Sequence, residues 1–409
     1  MNPPPASRQW PGDDLLKRWL ILGLAVFLAG YFVLEDRSGG HRPIYYLAVL
    51  LPWLLLLSWR RELWRDLWPS PLFRLVLLML AAALASLLYQ ADLHHTDAYD
   101  VLRHAVLVLS LIHVGHFLRS RDPLAHLPLL RTLALAGGAS AAWYGGGFIA
   151  LHGGDFSDYR LHLTLAHASN PNQVATLYAS VALVSCGLWI RERRGWLRLA
   201  LAGSYLAALT VVFMTHGRAS ILAVAAGTAL LLAHHRHWKL LAVLGSLYLG
   251  VFVALETGWI VGHSFTGRTA SIAIRMEIWS AALERIAAAP MLGEGWGAPH
   301  RVMTPAGEDY PHPHNLVLTA LMHGGVVGLA VVAALLGRGL YSGSRPGSEQ
   351  ASGGICTVLL LAYVIEGMWG TRWLLDGIDL TWPILWLPLA LLISAEAVQR
   401  STQPAGGRA

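Results

Sequence analysis

Twelve apolar runs, each close to the length of a bilayer crossing, dominate this chain and constrain what it can fold into. A bilayer core needs about 20 apolar residues per helix, within a range of roughly 17–25. The runs cover 19–34, 44–59, 73–90, 105–118, 129–150, 174–190, 198–214, 219–234, 239–258, 315–337, 353–370 and 382–397. Hydrophobic residues make up 55% of the chain and charged residues 13%, the latter about half the usual share for a soluble protein. The 17 Trp and 41 Gly suit helices in lipid with aromatic side chains at the interfaces. A disordered chain, a coiled coil and a disulfide-stapled scaffold are excluded. The expected fold is all-α: a polytopic membrane helix bundle of about twelve transmembrane helices, one membrane domain over 1–409.

The formal net charge of +6 would raise nucleic acid as a partner for a soluble domain. Here the basic residues sit between apolar runs, so membrane orientation explains them and no nucleic acid is expected. With the N-terminus inside, the inner segments hold 20 of the 30 Lys and Arg and the outer ones 10, which obeys the positive-inside bias. An even number of spans places both termini inside. Cys186 and Cys356 fall within apolar runs and suggest neither a disulfide framework nor a metal site. The first run is followed by Glu35-Asp36-Arg37 rather than a small-residue cleavage site, so it reads as a retained anchor.

Most outer loops are short. That at 151–173 is longer, and that at 259–314 is the largest. The large loop is expected to contain a helix from Arg268 to Ala289, ended by Pro290, too polar to span and lying on the outer face.

The unusual side chains gather on this outer side. Tyr310-Pro311-His312-Pro313-His314-Asn315 immediately precedes an apolar run. Histidine titrates nearest neutral pH and suits general-base work. Two prolines stiffen the approach, and Asn315 is well placed to cap the following helix. Arg218 lies in the short turn Thr215-His216-Gly217-Arg218-Ala219-Ser220, and Arg160 in the loop before Asn170-Pro171-Asn172-Gln173. Arg268 and Arg275 are two helical turns apart and share one face. Guanidinium groups offer permanently charged, bidentate donors to phosphate, so several converging arginines would hold a diphosphate without a metal. Arg285 and Arg301 have no local pattern and read as solvated or headgroup-contacting arginines. The run Gly293–Gly297 reads as a turn after Pro290, with a backbone anion nest as the alternative. Asn172 belongs to a helix start and is secondarily a sugar or phosphate contact. Glu366 lies inside an apolar run, where an acid is a functional suspect or a partner for Arg372.

No Walker loop or dinucleotide fingerprint is present, so ATP or NAD chemistry is not expected. No zinc motif occurs, and the first outer loop lacks the acidic motif of a metal-dependent membrane glycosyltransferase. The expected site uses no metal and no cofactor.

Arg160 before Asn170-Pro171-Asn172, the turn with Arg218-Ala219-Ser220, and the order Arg268…Arg275…Trp279…Pro290…Gly293-x-Gly295…His312-x-His314-Asn315…Gly324-Gly325-x-x-Gly328 resemble the O-antigen ligase and polymerase superfamily. The resemblance implies a metal-independent glycosyltransferase of the bacterial inner membrane, with 259–314 as its large helical periplasmic loop. Such enzymes take a glycan from an undecaprenyl-diphosphate carrier at the periplasmic face. The ligase passes it to a sugar hydroxyl of lipid A–core oligosaccharide, inverting the anomeric centre. By that analogy His314 is the base, Arg160, Arg218, Arg268 and Arg275 bind the diphosphate, and His312, Asn315 and Asn172 are secondary candidates. The ligase is favoured. A polymerase or protein O-glycosyltransferase of the superfamily, and a lipid-linked glycan transporter, remain as alternatives.

Overall fold

The computed structural model describes residues 12–35, 39–59, 62–90, 95–152, 160–257, 269–299, 301–345, 353–370, 374–375 and 377–402. The described residues form an all-α bundle with one two-stranded antiparallel hairpin. The helices are α1 Asp13–Val33, α2 His41–Tyr45, α3 Leu51–Trp59, α4 Glu62–Leu67, α5 Pro71–Ser86, α6 His95–Arg121 and α7 His126–His152. They continue with α8 Pro171–Arg191, α9 Gly195–Met214, α10 Arg218–His234, α11 Trp238–Glu256, α12 Thr269–Ala288, α13 Leu316–Ser344, α14 Gly353–Gly370 and α15 Leu387–Thr402. Single π-helical turns at Tyr46–Leu50 and Trp382–Trp386 join α2 to α3 and lead into α15.

Each apolar run meets a helix among the described residues, the run at 73–90 being helical only to Ser86. Asp13–Val33, His41–Ser58, Asp97–Arg121, Pro171–Arg191, Gly195–Met214, Leu316–Ser344 and Trp382–Arg400 are long and apolar enough to cross a membrane. Pro71–Ser86, Arg218–His234, Trp238–Val251 and Gly354–Gly370 are shorter and also apolar. The protein is therefore a polytopic membrane protein. Its core is one continuous cluster reaching from Leu20 to Ala397, with large apolar side chains such as Leu22, Leu199 and Val243 left on the outside, as a lipid-facing surface requires.

Local chemistry sets the helix starts. Ser70 caps α5 by accepting from the Phe73 amide, with Pro71 at the first turn. Asn170 caps α8 by accepting from the Gln173 amide, while the Gln173 side chain accepts from the Ser169 amide, a reciprocal arrangement of the capping-box kind. Asn315 caps α13 by accepting from both Val317 and Leu318.

α13 is broken. Gly325 has φ 60° and ψ −160° inside it, and a Cβ there would lie 2.3 Å from the Met291 backbone. The break frees backbone groups that the loop after α12 satisfies. Glu294 and Gly295 amides donate to the Met322 and His323 carbonyls, and Val326 and Val327 amides donate to Pro290 and Met291. The loop is thus spliced into the helix, and α12 lies over the start of α13, packing Ile278 and Ala281 on Met322 and on Val302 of the hairpin.

Candidate functional site

α8, α10 and α13 begin at the same end of the bundle, and α14 ends there. Gly217 permits the first convergence, since a Cβ at 217 would meet the Ala175 Cβ at 2.7 Å. Glu366 near the end of α14 is buried beside Thr176 of α8 and Ser220 of α10. The Asn315 side-chain amide donates to the Met368 carbonyl over 3.2 Å, tying the start of α13 to the end of α14. Helix N-termini carry partial positive charge and favour anions. Gly217 gives α10 no side-chain cap, unlike Asn170 and Asn315 at the other two helices.

Arginines add to this field. Arg160 donates through Nε and a terminal nitrogen to the Thr215 carbonyl, at 3.0 and 2.8 Å, and through the same terminal nitrogen to Asn172 Oδ1 at 3.2 Å. It therefore joins the 215–218 turn to the start of α8, and Asn172 is turned toward an arginine rather than spent as a cap. Arg218 is the first residue of α10. Arg275, on α12, lies over the Trp369 ring at 5.8 Å. It is held below the ordinary arginine pKa by burial first and by the charge of Arg218 second. The charge of Arg218, on a separate element, is thus felt at Arg275. Arg268 lies outside the described residues.

His314 is reached from the same elements. One turn beyond Arg275, Trp279 donates its indole N–H to the Pro313 carbonyl at 3.0 Å, which seats the His-Pro-His segment on α12. His314 is half-buried and has φ 54°, a left-handed backbone uncommon outside glycine and found where strain serves a site. His312 supports it: the His314 amide donates to His312 Nδ1 at 3.2 Å, and the two rings lie 4.0 Å apart. Buried, with Nδ1 given to the backbone, His312 braces His314. Asn315 is both helix cap and tie to α14. The arrangement can hold an anion among Arg160, Arg218, Arg275 and the start of α10, with an imidazole close by to take a proton.

Arg285 and Arg301, expected to be solvated or headgroup-contacting, are instead ion-paired. Arg285 holds Glu294 through two nitrogens, with Nε 2.8 Å from Oε1, and also donates to the Pro299 carbonyl at 3.1 Å. Arg301 pairs with Asp309 at 2.6 Å. The Gly293–Gly297 run is a turn, because its Glu294 and Gly295 amides serve α13. Neither oxygen of Glu366 completes a hydrogen bond among the described residues, and Arg372 lies outside them. Among those residues no group of three or more His, Cys, Asp and Glu side chains is placed to hold a metal.

The role of Trp279 in seating Pro313 was not readable from sequence, where Trp279 stood out only by its place in the motif order and one turn after Arg275. The splice of the glycine loop into α13 was equally hidden, although Gly324-Gly325 marked the place.

Residues 203–333, which include Arg218, Arg275, His314 and Asn315, match the family model described as O-antigen ligase. The chain is 28% identical to the O-antigen ligase of Pseudomonas aeruginosa, over 94% of this chain and 93% of that protein. The resemblance to the O-antigen ligase family therefore extends over nearly the whole length.

Proposed function

We propose that this protein transfers a glycan from undecaprenyl diphosphate to a sugar hydroxyl of lipid A–core oligosaccharide, as an O-antigen ligase of the bacterial inner membrane. The reading is carried by a chain of ties: Arg160 holds the turn that precedes Arg218, the charge of Arg218 reaches Arg275, and Trp279 and Asn315 fix the His314 segment to α12 and to the end of α14. Both termini are cytoplasmic and the site is periplasmic, in keeping with the 20-to-10 division of Lys and Arg.

The chemistry follows from the charges. A glycosyl diphosphate leaves well once its growing negative charge is met by fixed donors. Arg160, Arg218 and Arg275, with Arg268, hold the diphosphate. His314 accepts the proton of the acceptor hydroxyl as the oxygen attacks the anomeric carbon. The carbon–oxygen bond to the diphosphate breaks as the new bond forms on the opposite face, so the configuration inverts. No metal is required.

The test is a transfer assay with purified protein, an undecaprenyl-diphosphate-linked glycan and, in separate reactions, lipid A–core oligosaccharide or further donor as acceptor. A glycan-capped lipid A–core product is expected. A ladder of lengthening carrier-linked glycan would instead make the protein a polymerase, and no product in either reaction would sink the transferase reading.

A further inference from the structure

The segment that carries Arg160 is held in its middle by a pair of histidines that the proposed chemistry does not use. His41, the first residue of α2, is buried. Its Nε2 lies 2.8 Å from the Phe27 carbonyl. A carbonyl only accepts, so this nitrogen bears the proton. The other ring nitrogen, Nδ1, lies 3.0 Å from Nε2 of His167. In the neutral pair His167 Nε2–H therefore donates to His41 Nδ1.

Both partners are built into place. The His41 ring stacks on Phe27 at 4.6 Å between centroids and 10° between planes, and meets Tyr31 edge-on at 4.4 Å. Gly30 makes the seat: a Cβ there would come within 2.7 Å of His41 Cδ2. His167 sits at the tip of a turn closed by reciprocal backbone bonds between Leu165 and Ala168, and the Ala166 amide donates to the Leu34 carbonyl at 2.8 Å. His167 has φ 62°, a conformation that persists in a non-glycine residue where its surroundings over-determine it.

The same segment begins at the site. Next to Arg160, the Leu161 amide donates to the Met214 carbonyl at 3.0 Å, and the segment ends at the Asn170 cap of α8. Its two ends thus belong to the anion-binding elements, and its middle belongs to α1 and α2.

We propose that His41 and His167 form a latch that sets where segment 160–170 lies against α1, so that both are positioning residues for Arg160. The proposal rests on the reading of Arg160 as a ligand of the carrier diphosphate. It adds α1 and α2, remote from the arginines in sequence, to the parts that shape donor binding.

Full-length variants test it with two readouts that need no acceptor: amide exchange at Leu161, Ala166 and Ala168, and affinity for undecaprenyl diphosphate. His167→Gly keeps the left-handed backbone available and removes the donor. It is expected to speed exchange at these amides and weaken affinity, each roughly tenfold, the scale of one hydrogen bond. His167→Gln restores a donor of similar reach and is expected to return affinity to within about threefold of wild type, which a merely structural loss would not allow. His41→Phe, which keeps the stacked ring beside Phe27 and removes the acceptor for His167, replaces the glycine variant should that one misfold. Wild-type exchange and affinity in His167→Gly would overturn the latch, and faster exchange with unchanged affinity would overturn its link to Arg160. If wild-type protein bound the carrier but transferred nothing, the transferase reading would fall and the latch would still be decided by these two measurements.

Discussion

Arg275 on α12 is held below the ordinary arginine pKa by burial and then by the charge of Arg218 at the start of α10. Like charges are brought together at a cost that a bridging anion removes. A guanidinium binds a phosphate oxygen pair through a planar fork that an ammonium cannot copy. Arg218→Lys and Arg275→Lys are each expected to lower kcat/KM for the carrier-linked glycan by at least about tenfold. Steady-state kinetics with donor varied would show it, and wild-type turnover in Arg218→Lys would assign that residue a structural role.

His314→Ala is expected to reduce transfer by about 100-fold or more, the usual scale for loss of a general base, with membrane insertion and the detergent-solubilised elution profile unchanged. Retained activity in this variant would remove His314 as the base. His312→Ala should do less harm, because the His312 ring supports the His314 backbone.

Gly325→Ala is expected to destabilise the protein strongly. A non-glycine residue at φ 60° and ψ −160° costs about 1–3 kcal/mol, and the added Cβ would lie 2.3 Å from the Met291 carbonyl. A thermal-unfolding series in detergent, with Gly337→Ala as comparison, would check it. Position 337 has open space around a new Cβ, so that variant should unfold near wild type.

Arg285→Ala and Glu294→Ala should each lower thermal stability, and the double variant should be little worse than either alone. The bidentate pair ties α12 to the glycine loop, and residues in direct contact couple by about 0.5–3 kcal/mol. Additive losses would show that the pair does not act as a unit.

Excess chelator should leave the transfer rate unchanged. Inhibition that added divalent cation restores would overturn the metal-independent mechanism.

Much of the fold was legible because lipid demands length and apolarity together. Each expected span meets a helix, and the helix expected over Arg268–Ala289 is described over Thr269–Ala288, its end set by Pro290. The candidate site was legible where local chemistry is strong: the Asn170 and Asn315 caps, the Arg218 turn and the two histidines beside proline. What escaped were meetings between distant segments. Asn172 could be a cap or a contact by spacing alone, and only the folded chain turns it to Arg160. His41 and His167 carry no shared pattern, and their hydrogen bond depends on the space left at Gly30.

The splice between the glycine loop and the broken α13 also limits how such proteins can be recombined. Four backbone hydrogen bonds cross it, from Glu294 to Met322, Gly295 to His323, Val326 to Pro290 and Val327 to Met291. A straight helix in place of the break would keep its own carbonyls and leave the loop amides without acceptors. Residues 290–295 and 322–327 therefore form one inheritable unit. A chimera that trades the loop after α12 must carry the matching turn of α13 with it, although the two stretches stand apart in the gene.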